Sequence, residues 1–125
     1  IVEQCGGISE ETNKVIMGGP MMGVALPSLD YSVAKGTSGL LFFTAVDVPE
    51  ERPCIRCGRC VAACPMNLMP LKLAGYAKAE RFEDAKNLSL ADCFECGSCA
   101  YGCPSKIRLV SWIRYAKNYV RVHKI

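Results

Sequence analysis

The chain has 125 residues, half of them hydrophobic and 22% charged, with a formal net charge of +3. That length holds one ordinary domain or two small ones, with apolar residues enough for a packed core. No apolar run approaches the roughly twenty residues a spanning helix needs, and no charged-then-apolar leader is visible. The expectation is a soluble chain, with contact to a membrane surface left open. Ile1 stands where a methionine would start a complete protein, so a fragment is expected.

Residues 1–50 carry a strand-and-turn composition. Gly6-Gly7, Gly18-Gly19-Pro20, Gly23, Pro27, Gly36 and Gly39 punctuate short apolar runs, as turns punctuate strands. Val15–Met17 and the run from Leu40 to Val46 are the strand candidates, the second rich in aromatic and β-branched residues. Gly18 to Gly23 reads as a turn, because the pattern of a phosphate-binding G-x-G-x-x-G loop is missing. Cys5 has no partner cysteine nearby and is expected to be a small buried apolar residue. Pro49 to Pro53, polar and bracketed by prolines, reads as a joint.

Eight of the nine cysteines then fall in two copies of one pattern, C-x2-C-x2-C-x3-C-P, at Cys54, Cys57, Cys60, Cys64 and at Cys93, Cys96, Cys99, Cys103. Gly58 and Gly97, between the second and third cysteines, are expected to relieve crowding and let the backbone turn tightly. Pro65 and Pro104 suit the first turn of a departing helix. The spacer predicts a helix opened by Pro70 and running to Ala79, then a second over Arg81–Leu88 with Phe82, Ala85 and Leu88 on one face. Ser89 or Asp92 is a candidate cap for the next element. From Ser105, read as an N-cap, a helix is predicted to about Val122, with Ile107, Val110, Ile113, Ala116 and Val120 as its apolar stripe. Its bases, Lys106, Arg108, Arg114, Lys117, Arg121 and Lys124, suit an acidic partner protein or anionic lipid as well as a plain solvated face. His123 reads as unpaired surface.

The cysteine pattern resembles the run that holds [4Fe-4S] cubanes in bacterial ferredoxins, where the fourth cysteine ligates the other cluster. That resemblance implies one cluster on Cys54, Cys57, Cys60 and Cys103, and a second on Cys93, Cys96, Cys99 and Cys64. Two such clusters with four thiolates each, about −2 apiece, would bring the total charge near −1. Arg56, Arg59 and Lys106 are candidates to offset this. Paired C-x2-C motifs also build zinc sites, so a zinc-stabilised interaction module without redox function stays open; structural disulfides fit a run this dense less well. No nucleophile–base pair or convergent carboxylates stand out, so no catalytic residue is assigned. Fully supplied clusters point to one-electron relay, and no docking motif points to nucleic acid.

G-G-P-M-M-G at 18–23, A-K-G-T-S-G-L-L at 34–41, P-C-I-R-C-G-R-C at 53–60 and C-P-S-K-I at 103–107 together resemble the C subunit of the Rnf electron-transport complex, an ion-translocating ferredoxin:NAD oxidoreductase. The resemblance implies a C-terminal fragment of an α+β protein. Residues 1–50 would end a β-grasp-like soluble-ligand-binding domain, and 51–125 would form a helical ferredoxin module. It further implies a peripheral position on the cytoplasmic side of the membrane, partners among the complex's subunits and a ferredoxin-like iron–sulfur protein, and FMN and NADH only on an upstream part. The electron-transfer part of a cobalamin reductase of propanediol metabolism is the alternative of similar domain order.

Overall fold

The computed structural model describes residues 1–124 and divides them into two compact units, one of residues 1–48 and one from Pro49 onward. The architecture is α+β.

In the first unit, β1 (Lys14–Met17), β2 (Val24–Ala25) and β3 (Leu40–Phe43) form an antiparallel sheet in the order β2-β1-β3. Ile16 pairs with Ala25 on one side and Leu41 on the other, and its side chain is the buried one of the strand. The link from β1 to β2 is the 18–23 turn, closed by the Gly23 amide donating to the Gly19 carbonyl at 2.9 Å. A Cβ on Gly23 would run into the Gly19 oxygen and Ile16 Cγ2, so the turn has no room for a side chain there. β2 has two residues, too few for an alternation that sequence could reveal. Cys5, expected to be buried, is exposed. It sits in a tight turn whose amides bond to Ile1 and Val2, beside the polar Glu3 and Gln4, and no apolar run draws it inward.

The second unit is helical. Two one-turn helices, α1 (Arg59–Ala62) and α4 (Ser98–Tyr101), belong to the cysteine runs. Between them lie α2 (Pro70–Lys78), α3 (Phe82–Asn87) and a 3-10 turn at Leu90–Asp92; α5 (Leu109–His123) closes the unit. Pro70 opens α2 at its first position as expected, because a residue there has no amide to satisfy. Ser89 precedes the 3-10 turn but makes no side-chain cap.

The end of the chain departs from expectation. Ser105 does not cap a helix, and Pro65 and Pro104 lie in turns. Lys106 adopts φ 52° and Asn67, three residues after Cys64 as Lys106 is after Cys103, adopts φ 53°. A left-handed residue cannot continue a right-handed helix, so α5 starts only at Leu109. Its fully buried positions are Leu109, Ile113 and Ala116; Val110 and Val120 are half-buried, and Ile107 is buried ahead of the helix.

The core has two parts. Leu68, Leu73, Ala77, Phe82, Ala85, Leu90, Ile113 and Ala116 form one; Ala74, Ile107 and Leu109 join Cys99 and Cys103 in the other. Ala77, Ala85 and Ala116 are wholly enclosed, and such small residues at crossings let α2, α3 and α5 approach closely. Trp112 touches both parts. Phe82 stacks on Tyr119 at 3.8 Å between ring centroids. His123 is exposed but not unpaired: its ring lies 4.1 Å from that of Tyr119.

Candidate metal centre

The two cysteine runs fold as copies of one another. The residue before the second cysteine is left-handed in both, Arg56 at φ 56° and Glu95 at φ 61°. The glycine after that cysteine, Gly58 at φ 74° and Gly97 at φ 88°, precedes the short helix carrying the third. Nothing lies within 4 Å of a Cβ built on Gly58. There the glycine answers to its backbone angle, which an L side chain rarely adopts, and not to crowding. Each run then closes the same way: the Cys64 amide bonds to Val61 and the Cys103 amide to Ala100. The Asn67 and Lys106 amides bond back to the carbonyls of Cys64 and Cys103.

This duplication brings the fourth cysteine of each run beside the first three of the other. A cavity of about 200 Å³ is lined by Cys54, Cys57, Cys60 and Cys103, with Ile55, Arg56, Lys72, Leu71 and Ile107. A second, of about 20 Å³, is lined by Cys64, Cys93, Cys96 and Cys99, with Met66, Leu68, Phe94 and Glu95. Cys5 lies in the other unit and lines neither. All nine cysteines are free.

Among the described residues, no three Cys, His, Asp or Glu side chains converge where one ion could be held. A zinc with Zn–S of about 2.3 Å needs its sulfurs about 3.8 Å apart, whereas a four-iron core between the thiolates spreads them farther. Four soft thiolates facing one cavity suit iron–sulfur ligation. The larger cavity offers room as it stands. The smaller holds about one water, and half-exposed Met66 and Phe94 must give way for a core to enter.

Burial sets the thiol chemistry. It pushes Cys99 up to about 11 and raises Cys60 and Cys93. The Ser98 hydroxyl, 3.5 Å from Cys96 Sγ, holds that thiol below its ordinary value. Backbone amides also reach sulfur, Arg56 N to Cys54 and Leu68 N to Cys64 at 3.4 Å, with Val61 and Leu71 acting on Cys60, Glu95 on Cys93, Ser98 on Cys96 and Ala100 on Cys99. Such bonds favour a charged sulfur.

Four polar side chains, Ser105, Glu95, Arg114 and Lys117, play parts that the sequence reading did not give them. The Ser105 hydroxyl donates to the Pro53 carbonyl at 2.9 Å, and the Arg52 amide donates to the Ser105 carbonyl at 2.9 Å. Together they tie the entrance of the first run to the exit of the second. Burial acts to raise the Glu95 carboxyl, but Arg114 Nε at 2.6 Å and Lys117 Nζ at 3.3 Å outweigh it and hold it below its usual range. Lys117 also donates to the Cys93 carbonyl at 2.6 Å. Two bases counted towards a solvated face of α5 therefore point at the second run. Aligning the two runs pairs Arg56 with Glu95, a charge reversal that was a readable signal; for Ser105 there was none.

Residues 53–107 match the 4Fe-4S dicluster domain family. Over 120 residues, 94% of its length, the chain is 50% identical to the C subunit of the proton-translocating ferredoxin:NAD(+) oxidoreductase complex of Clostridium ljungdahlii, covering 26% of that protein. It is 48% identical over 122 residues to the Na(+)-translocating counterpart of Acetobacterium woodii, 96% of this chain and 28% of that protein. The chain is homologous to the C subunits of ion-translocating oxidoreductase complexes. The C subunit of the ion-translocating oxidoreductase complex of Rhodobacter capsulatus shares 47% over 119 residues, 94% of this chain and 23% of that protein. The chain thus spans about a quarter of the length of these relatives. Among the described residues, no helix is long and apolar enough to cross a membrane.

Proposed function

We propose that this chain relays single electrons through two [4Fe-4S] clusters, one on Cys54, Cys57, Cys60 and Cys103, the other on Cys93, Cys96, Cys99 and Cys64. The observation that carries the reading is the pair of cavities, each lined by four cysteines drawn three-and-one from the two runs. Clusters in these sites supply reversible one-electron storage with little rearrangement. The chain's own part is to hold them: left-handed turns aim the first two thiols of each run, the short helices present the third, and the exchanged fourth locks the halves together. Leu68, Leu71, Ile107 and Ile113 keep water from the inner faces.

Homology to the C subunits supports a relay working within an ion-translocating ferredoxin:NAD oxidoreductase complex. In this reading residues 51–125 act as the ferredoxin module and 1–50 as the end of a β-grasp-like domain. Electrons pass between a flavin and NADH module elsewhere in the longer protein and another iron–sulfur subunit. The site of action is the cytoplasmic face of the membrane. Arg108, Arg121 and Lys124, exposed on and beside α5, are the bases offered to an acidic partner or anionic lipid.

The test is iron and acid-labile sulfide per chain after anaerobic reconstitution, with electron paramagnetic resonance (EPR) of the dithionite-reduced protein. About eight of each and a coupled two-spin spectrum are expected. Zinc without sulfide would leave a structural module instead. Cys64→Ser should empty the site of Cys93, Cys96 and Cys99, and loss of the neighbouring site instead would refute the exchange. Cys5→Ala should leave the iron count unchanged.

A further inference from the structure

α5 reaches the second cysteine run through two side chains. Leu109, Ile113 and Ala116 fix the helix in the core, and Val110 and Ile113 form a wall of the cavity of Cys64, Cys93, Cys96 and Cys99. Arg114 and Lys117, three residues apart, lie on one side of the helix. Arg114 Nε meets one Glu95 carboxylate oxygen at 2.6 Å and Lys117 Nζ the other at 3.3 Å, so the carboxylate is neutralised. Lys117 does more. Its ammonium also donates to the Cys93 carbonyl at 2.6 Å, and its side chain is only 20% exposed. One ammonium thus grips Cys93 and Glu95 together, and Glu95 is the residue whose left-handed φ of 61° turns the chain from Cys93 towards Cys96. Arg56 holds the same place in the first run at φ 56°. It is exposed and, among the described residues, makes no ion pair.

The same cation acts on the sulfur. Burial raises the Cys93 thiol; the Glu95 amide and the Lys117 ammonium work against it, and the Glu95 charge acts less strongly than Lys117 does. A cation beside a thiolate favours its charged form. Reduction takes a four-iron cluster from about −2 to about −3 by one electron with no proton, and a nearby cation eases that step as well. Resting on the two-cluster reading, we propose that Lys117 is the positioning residue of the Cys64–Cys93–Cys96–Cys99 cluster. It locks the turn that aims Cys93 and Cys96 and sets a positive charge beside the cluster, so that both the cluster's retention and its potential depend on α5. The cysteines alone touch iron; Lys117 acts through Cys93 and Glu95.

The experiment uses the chain reconstituted anaerobically, with iron and sulfide counted, in wild type, Lys117→Met and Lys117→Arg. Methionine keeps an unbranched stem and the helix but removes the ammonium; arginine keeps the charge and the donors. Iron release to a chelator is followed in time, and each cluster's potential is read by potentiometric titration with EPR. In Lys117→Met one cluster should leave about tenfold faster, as the loss of one charge-assisted bond allows, and take its electron at lower potential. The other should keep its rate and potential, and Lys117→Arg should restore both readings. Two further backgrounds identify the cluster. With the second site emptied by Cys64→Ser, Lys117→Met should change nothing; with the first emptied by Cys54→Ser, its effect should remain. Two clusters leaving faster together, an unmoved potential, or a response that persists in Cys64→Ser would make Lys117 a packing residue and overturn the proposal. Fewer than two clusters in wild type would instead sink the reading on which it rests. Should Lys117→Met fail to fold, Lys117→Gln replaces it with the same expected shifts, since glutamine is a good helix former.

Discussion

Ser105 joins the entrance of the first cysteine run to the exit of the second through one hydroxyl. Its side chain is buried and bonded to the Pro53 carbonyl, and removing the hydroxyl leaves that oxygen without its protein partner. Ser105→Ala should lower stability by about 1 kcal/mol, the net worth of such a bond, read as a lower urea midpoint with unchanged slope. Glu95 offers a test by pH. Its carboxyl lies below its usual range, so between the folded and unfolded values the unfolded chain binds more protons, and stability rises with pH. The contribution is complete above the ordinary carboxylate value and fades as pH falls through the folded one. Glu95→Gln should therefore cost roughly 1 kcal/mol at pH 7, and the gap from wild type should close as the pH drops below about 4. A gap that stays constant to pH 3 would mean that the carboxylate's charge contributes nothing to the fold.

The elements that sequence made legible carry their own punctuation. Pro70 opens α2 where it should, and the apolar spacing of Phe82 and Ala85 marks α3, because both signals are local. The strands around Val15 and Leu40 were readable for the same reason, although β3 ends at Phe43 and not at Val46. Ser105 and Pro104 carried equally good local signals and were overruled. The left-handed turn at Lys106, repeated at Asn67, leads the chain past the cysteine before Ile107 enters the core, and no periodicity encodes such a turn. β2 was invisible because it exists only by pairing with Ile16 and Met17. The 18–23 turn was readable as a turn, but the reason for Gly23 was not, since Ile16 Cγ2 meets it only in the folded hairpin. Gly23→Ala should strain that hairpin and cost about 1–3 kcal/mol. Amide exchange in β1 and β2 should speed up, with the helical unit undisturbed. Unchanged exchange would show that the turn can widen freely.

Across the whole molecule, the candidate metal centre and the helical core are the same material. Cys99 and Cys103 belong to one half of that core, and Cys64 and Cys93 pack against the other. Without iron, burial holds the thiols of Cys60, Cys93 and Cys99 protonated, Cys99 most of all, and four cysteines border a cavity of about 200 Å³ with little to fill it. In the proposed reading ligation would deprotonate them and fill the space, and because the unfolded chain has no preformed site, that binding energy would become folding energy. Trp112 is the only tryptophan and touches both halves of the core, so its emission reports on this unit and not on the sheet. Stripping iron under anaerobic conditions should lower the thermal midpoint read from Trp112 by more than about 5 °C, a shift that roughly 1 kcal/mol produces in a domain of this size. The midpoint is the proper reading, because bound clusters quench the intensity itself. The β unit supplies the control: amide exchange along β1 and β3 should not respond. A Trp112 midpoint that ignores iron would mean that α2, α3 and α5 stand by themselves, and that only the cysteine turns fold around the metal.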